Sequence, residues 1–232
     1  MNNYWQRGYI PKISSRCGAT LFWSGTDTEE NFKKSPKPGY TKTSIVYKYN
    51  SYGYRTREFD LTNSIPSIIC IGCSFTEAIG INYEDSWVAQ IEKNFPQHVV
   101  YNFGVGGSSG DAVARTLYNI SGVITPSIVF VLWTDIYRYE QYQELKIATV
   151  YPHVQNGYTP TMLTDENFNN IRQRNRAMVG LLATVNNYTV YEHNIHDFDM
   201  SIHDQGRDDH PGPQWHAEMA RTFLKKYDQH KI

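Results

Sequence analysis

The run Ser67-Ile68-Ile69-Cys70-Ile71-Gly72-Cys73-Ser74-Phe75-Thr76 decides how the chain is read. Its first six residues make a short, continuous apolar segment with no polar alternation, as a strand buried on both faces requires. Gly72 then opens a turn, and Ser74 stands where a helix would begin.

The same grammar repeats downstream. An amphipathic stretch with Trp87, Ile91 and Phe95 precedes a strand at His98-Val99-Val100-Tyr101-Asn102-Phe103. A glycine-rich turn then leads to a helix holding Ala112, Val113 and Leu117, followed by the apolar run Ser127 to Trp133. A longer helix with Phe168, Ile171, Met178, Leu181, Leu182 and Val185 precedes a fourth strand, Tyr188-Thr189-Val190-Tyr191. A helix carrying Trp215, Met219 and Phe223 closes the chain. Strands alternating with helices predict an α/β fold whose parallel sheet is covered on both faces.

Upstream the pattern is different. Residues 1–65 hold aromatics, the turn formers Pro36-Lys37-Pro38-Gly39 and one alternating run, Ser44 to Tyr49, that suits a half-exposed strand followed by a turn at Asn50-Ser51-Tyr52-Gly53. We read 1–65 as an N-terminal extension, either partly disordered or folded with a small hairpin against a main domain spanning 66–232.

Composition narrows the function classes. A chain of 232 residues with 40% hydrophobic content can bury one sizeable core. Its 22 basic and 23 acidic residues give a net charge of −1, and the basic residues are scattered, which argues against nucleic acid or an anionic membrane surface as partner. The densest basic run, Lys33-Lys34-Ser35-Pro36-Lys37, reads as a solvated loop. No apolar stretch reaches the roughly 18 residues of a membrane span, and Met1 to Arg7 lack the apolar core of a signal peptide, so a cytoplasmic product is expected. Three cysteines are too few for a disulfide framework.

Ligands of a parallel sheet bind beyond the carboxyl ends of its strands, so the residues after each apolar run are where chemistry is sought. Ser74 follows the first strand, where its hydroxyl could meet a substrate; the plainer reading is an ordinary helix N-cap. Asn102-Phe103-Gly104-Val105-Gly106-Gly107-Ser108-Ser109-Gly110 follows the second and could offer backbone N–H groups to an oxyanion, or simply form a turn. Its glycines miss the spacing of the dinucleotide fingerprint, and no P-loop Gly-Lys-Ser/Thr follows. After the third strand, Thr134 could donate a hydrogen bond, whereas Asp135 and Arg138 read as structural. Arg207-Asp208-Asp209-His210-Pro211 sets a carboxylate beside an imidazole, or is a surface loop before a helix.

Taken together and in order, these four segments resemble the conserved blocks of the SGNH/GDSL hydrolases. Gly72 to Thr76 resembles the Gly-Asp-Ser block, Asn102 to Gly107 the second, Trp133-Thr134-Asp135 the third, and Asp208-Asp209-His210-Pro211 the last. The resemblance covers Pro66 to the C-terminus and implies a flavodoxin-like three-layer α/β/α fold. It also implies ester hydrolysis through Ser74 as nucleophile, His210 as general base and Asp208 as triad acid, without metal or cofactor. The oxyanion would rest on the N–H groups of Ser74 and Gly107, helped by Thr134. Short-chain acyl esters or O-acetylated carbohydrates are the expected substrates, and the oligomeric state is left open. The segment Tyr49 to Arg55 resembles extensions of SGNH-type proteins from tailed bacteriophages and environmental bacteria.

Three departures stand against the resemblance. Cys73 replaces the acid before the nucleophile, Thr134 stands where the third block has asparagine, and Arg207 stands where the last block has its acid, leaving Asp208 one residue short. A weakly active or inactive binding or virion-associated structural protein on the same fold is therefore the alternative. Two other chemistries have weaker support: thiol exchange at Cys70-Ile71-Gly72-Cys73, and metal binding by His193, His196, His203, His210 and His216.

Overall fold

A computed structural model describes residues 5–143, 146–150, 164–198 and 204–230; His203 and the first four residues lie outside these ranges. The principal sheet has four parallel strands, β3 (Ser67–Ile71), β4 (Val99–Asn102), β5 (Pro126–Trp133) and β8 (Thr189–Asn194), in the order β4-β3-β5-β8. Counted within the sheet this is the order 2-1-3-4 of a flavodoxin-like doubly wound fold. The order reverses between β3 and β5, so the switch point lies at the carboxyl end of β3, just ahead of Ser74.

Alternation along each buried strand creates the three layers, because successive side chains leave a strand on opposite faces. Ile69, Ile71, Val129, Val131 and Trp133 face α4 (Gly110–Ile120) and α5 (Asp165–Asn186), meeting Val113, Leu117, Val179 and Leu182. Ile68, Cys70, Ile128, Phe130 and Leu132 face α3 (Trp87–Asn94) and α6 (Pro213–Gln229), meeting Trp87, Ile91, Trp215, Met219 and Phe223. Full burial of aromatics such as these contributes roughly 1.5–3 kcal/mol per side chain. Two residues of the predicted α5 stripe face outward instead: Leu181 and Val185 are exposed.

The strand expected over Ser44 to Tyr49 is shorter than its alternation suggested. Only Tyr47–Lys48 forms a strand, β2, and it pairs antiparallel with β1 (Thr20–Leu21) rather than with an adjacent hairpin partner. Ile45, Tyr47 and Tyr49 all point inward onto Ile79, so burial replaces the ladder that a longer strand would need. The basic run is also not a loop throughout. Lys33 and Lys34 end α1 (Glu29–Lys34), where each pairs with the glutamate four residues earlier. A hairpin of β6 (Tyr139–Gln143) and β7 (Lys146–Val150) was not foreseen. It attaches through polar contacts invisible to a hydrophobic pattern: Arg115 forks onto Glu140 at 2.6 and 3.0 Å, and the Glu140 N–H donates to Asp111 at 2.8 Å.

Residues 5–60 dock on the main body through charge as well as packing. Ile10 and Tyr54 enter the core of the α4–α5 face. Arg207, with no exposed side chain, grips Asp27 through Nε at 2.9 Å and Nη2 at 2.7 Å. It also donates to the carbonyls of Phe22, Thr41 and Lys42, and stacks over Trp23 at 3.9 Å. Removing one partner of such a pair strands the other charge in the interior. Asp27→Ala is expected to lower unfolding free energy by about 3–5 kcal/mol, read from denaturant midpoints at constant slope. A loss under about 1 kcal/mol would show that carbonyls alone carry Arg207.

Candidate active site

The carboxyl end of β3 runs through Gly72 and Cys73 into α2 (Ser74–Glu77). Cys73, not Ser74, occupies the N-cap position and makes no side-chain cap; the Ser74 hydroxyl is turned to another partner. That partner is His210, whose Nε2 lies 2.8 Å from Ser74 Oγ. The other ring nitrogen, Nδ1, lies 2.8 Å from Asp208 Oδ2, and the His210 backbone N–H donates to Asp208 Oδ1 at 3.1 Å. Ser74, His210 and Asp208 thus form one chain of hydrogen bonds. The shortened spacing between acid and histidine is absorbed by this tight Asx-type turn.

Asp208 is nearly buried. Burial is the largest single influence on its carboxyl and pushes it upward, but hydrogen bonding and charge from His210, with the Thr26 hydroxyl, hold it below the ordinary carboxylate range. An ionised acid is what an imidazole needs when it takes up a proton. Phe75 stands edge-on to the His210 ring at 5.3 Å and limits its rotation.

The loop carrying the acid and base lies directly on the turn after α2. Gly80 has φ +85°, and a Cβ there would come within 2.3 Å of Asp208 Oδ1, so both the backbone conformation and the close approach require glycine. The Arg207 N–H donates to the Gly80 carbonyl at 2.7 Å. Ala78 also adopts positive φ, at 65°, in the turn that ends α2. The fully buried Arg55 guanidinium stabilises this turn by donating to the carbonyls of Glu77, Ala78 and Ile81.

The glycine-rich loop is fastened to the same short helix. Asn102 Nδ2 donates to the Thr76 carbonyl at 2.7 Å and its Oδ1 accepts the Gly104 N–H at 2.8 Å. A Cβ on Gly104 would meet the Glu77 nitrogen at 2.2 Å, so the loop can lie this close only without a side chain. The buried Glu77 carboxylate accepts the Gly106 N–H at 2.5 Å through one oxygen. Its other oxygen accepts from Arg16 and, at 2.8 Å, from the Tyr49 hydroxyl. Gly107 follows with φ +79°.

Thr134 is buried at the end of β5, and its hydroxyl accepts from Arg138 at 3.1 Å. Among the described residues it makes no hydrogen bond to Ser74 or His210. Asp135 accepts the Tyr137 N–H at 2.9 Å and faces His196 at 3.8 Å. Cys70 and Cys73 are both buried, and burial pushes the Cys70 thiol well up, which suits core packing rather than thiol exchange. Among the described residues the late histidines are dispersed: His193 faces Asp197, His196 faces Asp135, His210 lies against Ser74, and His216 is buried in α6.

The sequence reading gave no role at the site to five residues around it: Thr26, Arg16, Tyr49, Arg55 and Glu77. Four come from the N-terminal extension, where the alternation of Ser44 to Tyr49 marked a strand and nothing marked a site. Glu77 left a trace, as a charged residue in the turn after a buried strand.

No family model and no curated protein matches the sequence. Solved structures to which the chain is similar include a lipolytic protein of the G-D-S-L family from Veillonella parvula, at 14% identity over 69% of this chain and 97% of that one, with a TM-score of 0.37. TesA is similar at 12% identity over 68% and 96%, with a TM-score of 0.39. An acetylxylan esterase, Axe2, from Geobacillus stearothermophilus is similar at 14% identity over 69% and 93%, with a TM-score of 0.37. Identities and TM-scores this low leave the chemistry to be judged from the site's own geometry.

One neighbour of the site should govern acid stability. His216 is wholly buried, accepting the Trp87 N–H at 3.3 Å. Burial, reinforced by the charges of His210 and Arg55, lowers it to about 3. The unfolded chain therefore binds one proton more than the folded one between the ordinary histidine value and about 3, and stability falls as pH falls through that window. The slope from this group is about 1.4 kcal/mol per pH unit. His216→Gln keeps an acceptor but cannot titrate, so urea unfolding from pH 6.5 downward should show a flatter decline by roughly that slope. Parallel declines in both proteins would exclude His216 as the cause.

Proposed function

We propose that the chain is a carboxylic ester hydrolase of the SGNH/GDSL kind, working through an acyl-serine intermediate. The observation that carries this reading is the continuous hydrogen-bonded chain from Ser74 Oγ through both ring nitrogens of His210 to Asp208. A buried serine hydroxyl facing an imidazole that is itself held by a carboxylate is arranged to lose its proton on attack.

In this reading Ser74 Oγ bonds to the ester carbonyl carbon while its proton passes to His210 Nε2. Asp208 holds the opposite proton on Nδ1 and stabilises the imidazolium. The carbonyl oxygen becomes an oxyanion that the N–H groups of Ser74 and Gly107 would receive; Glu77 fixes the neighbouring Gly106 N–H and so sets the loop's position. His210 then returns the proton to the departing alcohol, and a water deprotonated by His210 releases the acid. Thr134 is the side chain we assign to complete the oxyanion hole, since its hydroxyl accepts from Arg138 and retains a proton to donate. The substrate class we assign is a short acyl group such as acetyl on a small alcohol or a carbohydrate hydroxyl.

A fluorophosphonate probe is expected to label Ser74, located by peptide mapping, and Ser74→Ala should lose p-nitrophenyl acetate hydrolysis by about 10⁴-fold or more. Failure to label, with wild type and Ser74→Ala both no faster than the uncatalysed reaction, would favour a non-catalytic binding or virion-associated role instead. Thr134→Val should lower kcat about 100-fold if its hydroxyl meets the oxyanion; wild-type kcat would remove it from the hole.

A further inference from the structure

We propose that Thr26, contributed by the N-terminal extension, is a positioning residue for the Asp208–His210 pair, so that the extension is a working part of the catalytic site. The inference rests on the ester-hydrolase reading above and adds to it a residue that lies far from Asp208 in sequence.

With the acid only two residues before the histidine, the His210 backbone N–H occupies Asp208 Oδ1, and Oδ2 alone is left for His210 Nδ1. A carboxylate held this way can still swing about its last torsion, which is broad for aspartate. Thr26 supplies the missing restraint: its Oγ1 lies 2.8 Å from the same Oδ2 and 3.4 Å from Nδ1. When Nδ1 carries the proton it cannot accept, so the threonine hydroxyl must donate to Oδ2. The carboxylate then has two donors on Oδ2 and one on Oδ1. Its plane and the imidazole tautomer are fixed together.

Thr26 is itself held rigidly. Ser24 and Asp27 exchange backbone hydrogen bonds at 3.0 and 3.1 Å, closing a turn whose first central residue, Gly25, has φ +60°. The Thr26 carbonyl accepts from Asn31 at 2.8 Å. The next residue, Asp27, grips Arg207, the residue just before Asp208. Two consecutive residues of the extension, Thr26 and Asp27, thus face two consecutive residues of the catalytic loop, Asp208 and Arg207. Lys37 adds a third tie, reaching Asp209 at 2.9 Å and Gln205 at 2.8 Å.

The experiment compares wild type, Thr26→Val, Thr26→Ala and Thr26→Ser, with Ser74→Ala as reference. Valine keeps the branched shape without the hydroxyl, and alanine avoids any crowding from the added methyl. Both should lower kcat for p-nitrophenyl acetate about 10- to 100-fold with KM little changed, and serine should restore most of it. Losing a donor leaves more negative charge on Asp208 facing the ring. The imidazolium is then favoured, and the acid limb of kcat/KM moves to higher pH. Among the described residues, the other charged or titratable groups near the pair include Arg207 and Asp209 on the loop, Asp27, Lys37 and Tyr40 from the extension, and Asp204, Arg55 and His216. None is altered by these substitutions, and NMR titration of the His210 ring should show the same upward move without any turnover. Folded Thr26→Val or Thr26→Ala protein with wild-type kcat and an unmoved His210 titration, alongside an inactive Ser74→Ala, would overturn the positioning role alone. Turnover unaffected by Ser74→Ala would overturn the hydrolase reading and this role with it.

Discussion

Arg207 carries its positive charge with no part of the side chain open to solvent, and the cost of that burial organises the molecule around it. An unpaired guanidinium in such a place would be untenable, so Asp27 and three carbonyls of residues 22–42 must gather on it. Those partners all belong to the N-terminal extension, while Arg207 belongs to the loop that bears Asp208 and His210. A single charge therefore decides where the extension lies and where the Asp208–His210 loop lies, at the same time.

Glu77 makes a second junction of the same type. Its carboxylate is buried between Arg16 and Tyr49 from the extension and the Gly106 N–H of the glycine-rich loop. It sits on α2 with Ser74, so the Ser74 helix, the glycine-rich loop and the extension share one anchor. Arg55 works from beneath, holding the carbonyls of the left-handed turn that returns the chain from α2 to Gly80 and Asp208. Buried charges of this kind contribute little net stability compared with apolar residues of equal volume. Their value here is geometric, because each admits one arrangement of several donors and acceptors.

The surroundings separate reactive from inert groups of the same chemical type. His210 is part-exposed and bonded on both ring nitrogens, whereas His216 is sealed in the α3–α6 core and stays neutral. Cys70 and Cys73 share the β3–α2 junction with Ser74, yet both point into packing and only the serine meets a base. Burial is the largest influence on His216 and Cys70 and disfavours the charged form of each; the site differs by adding a carboxylate with three donors of its own.

The succession of strands and helices and the two covered faces of the sheet were legible in the chain because they follow from local periodicity. A strand buried on both faces must be apolar throughout, whereas Ser74, Asp208 and His210 were singled out only by the resemblance of their segments, taken together, to the blocks of one family. Even the shortened interval between Asp208 and His210 could be seen, though not its consequence. What only the tertiary structure decided was everything supplied at a distance: that Ser74 faces His210 instead of capping a helix, that Arg207 pairs with Asp27, that Thr26 reaches Asp208, and that Glu77 gathers Arg16, Tyr49 and the Gly106 N–H. These contacts join residues widely separated along the chain through single hydrogen bonds or charges. Such links leave no period in the sequence, because one donor meeting one acceptor requires only the right two residues, and the fold alone brings them together.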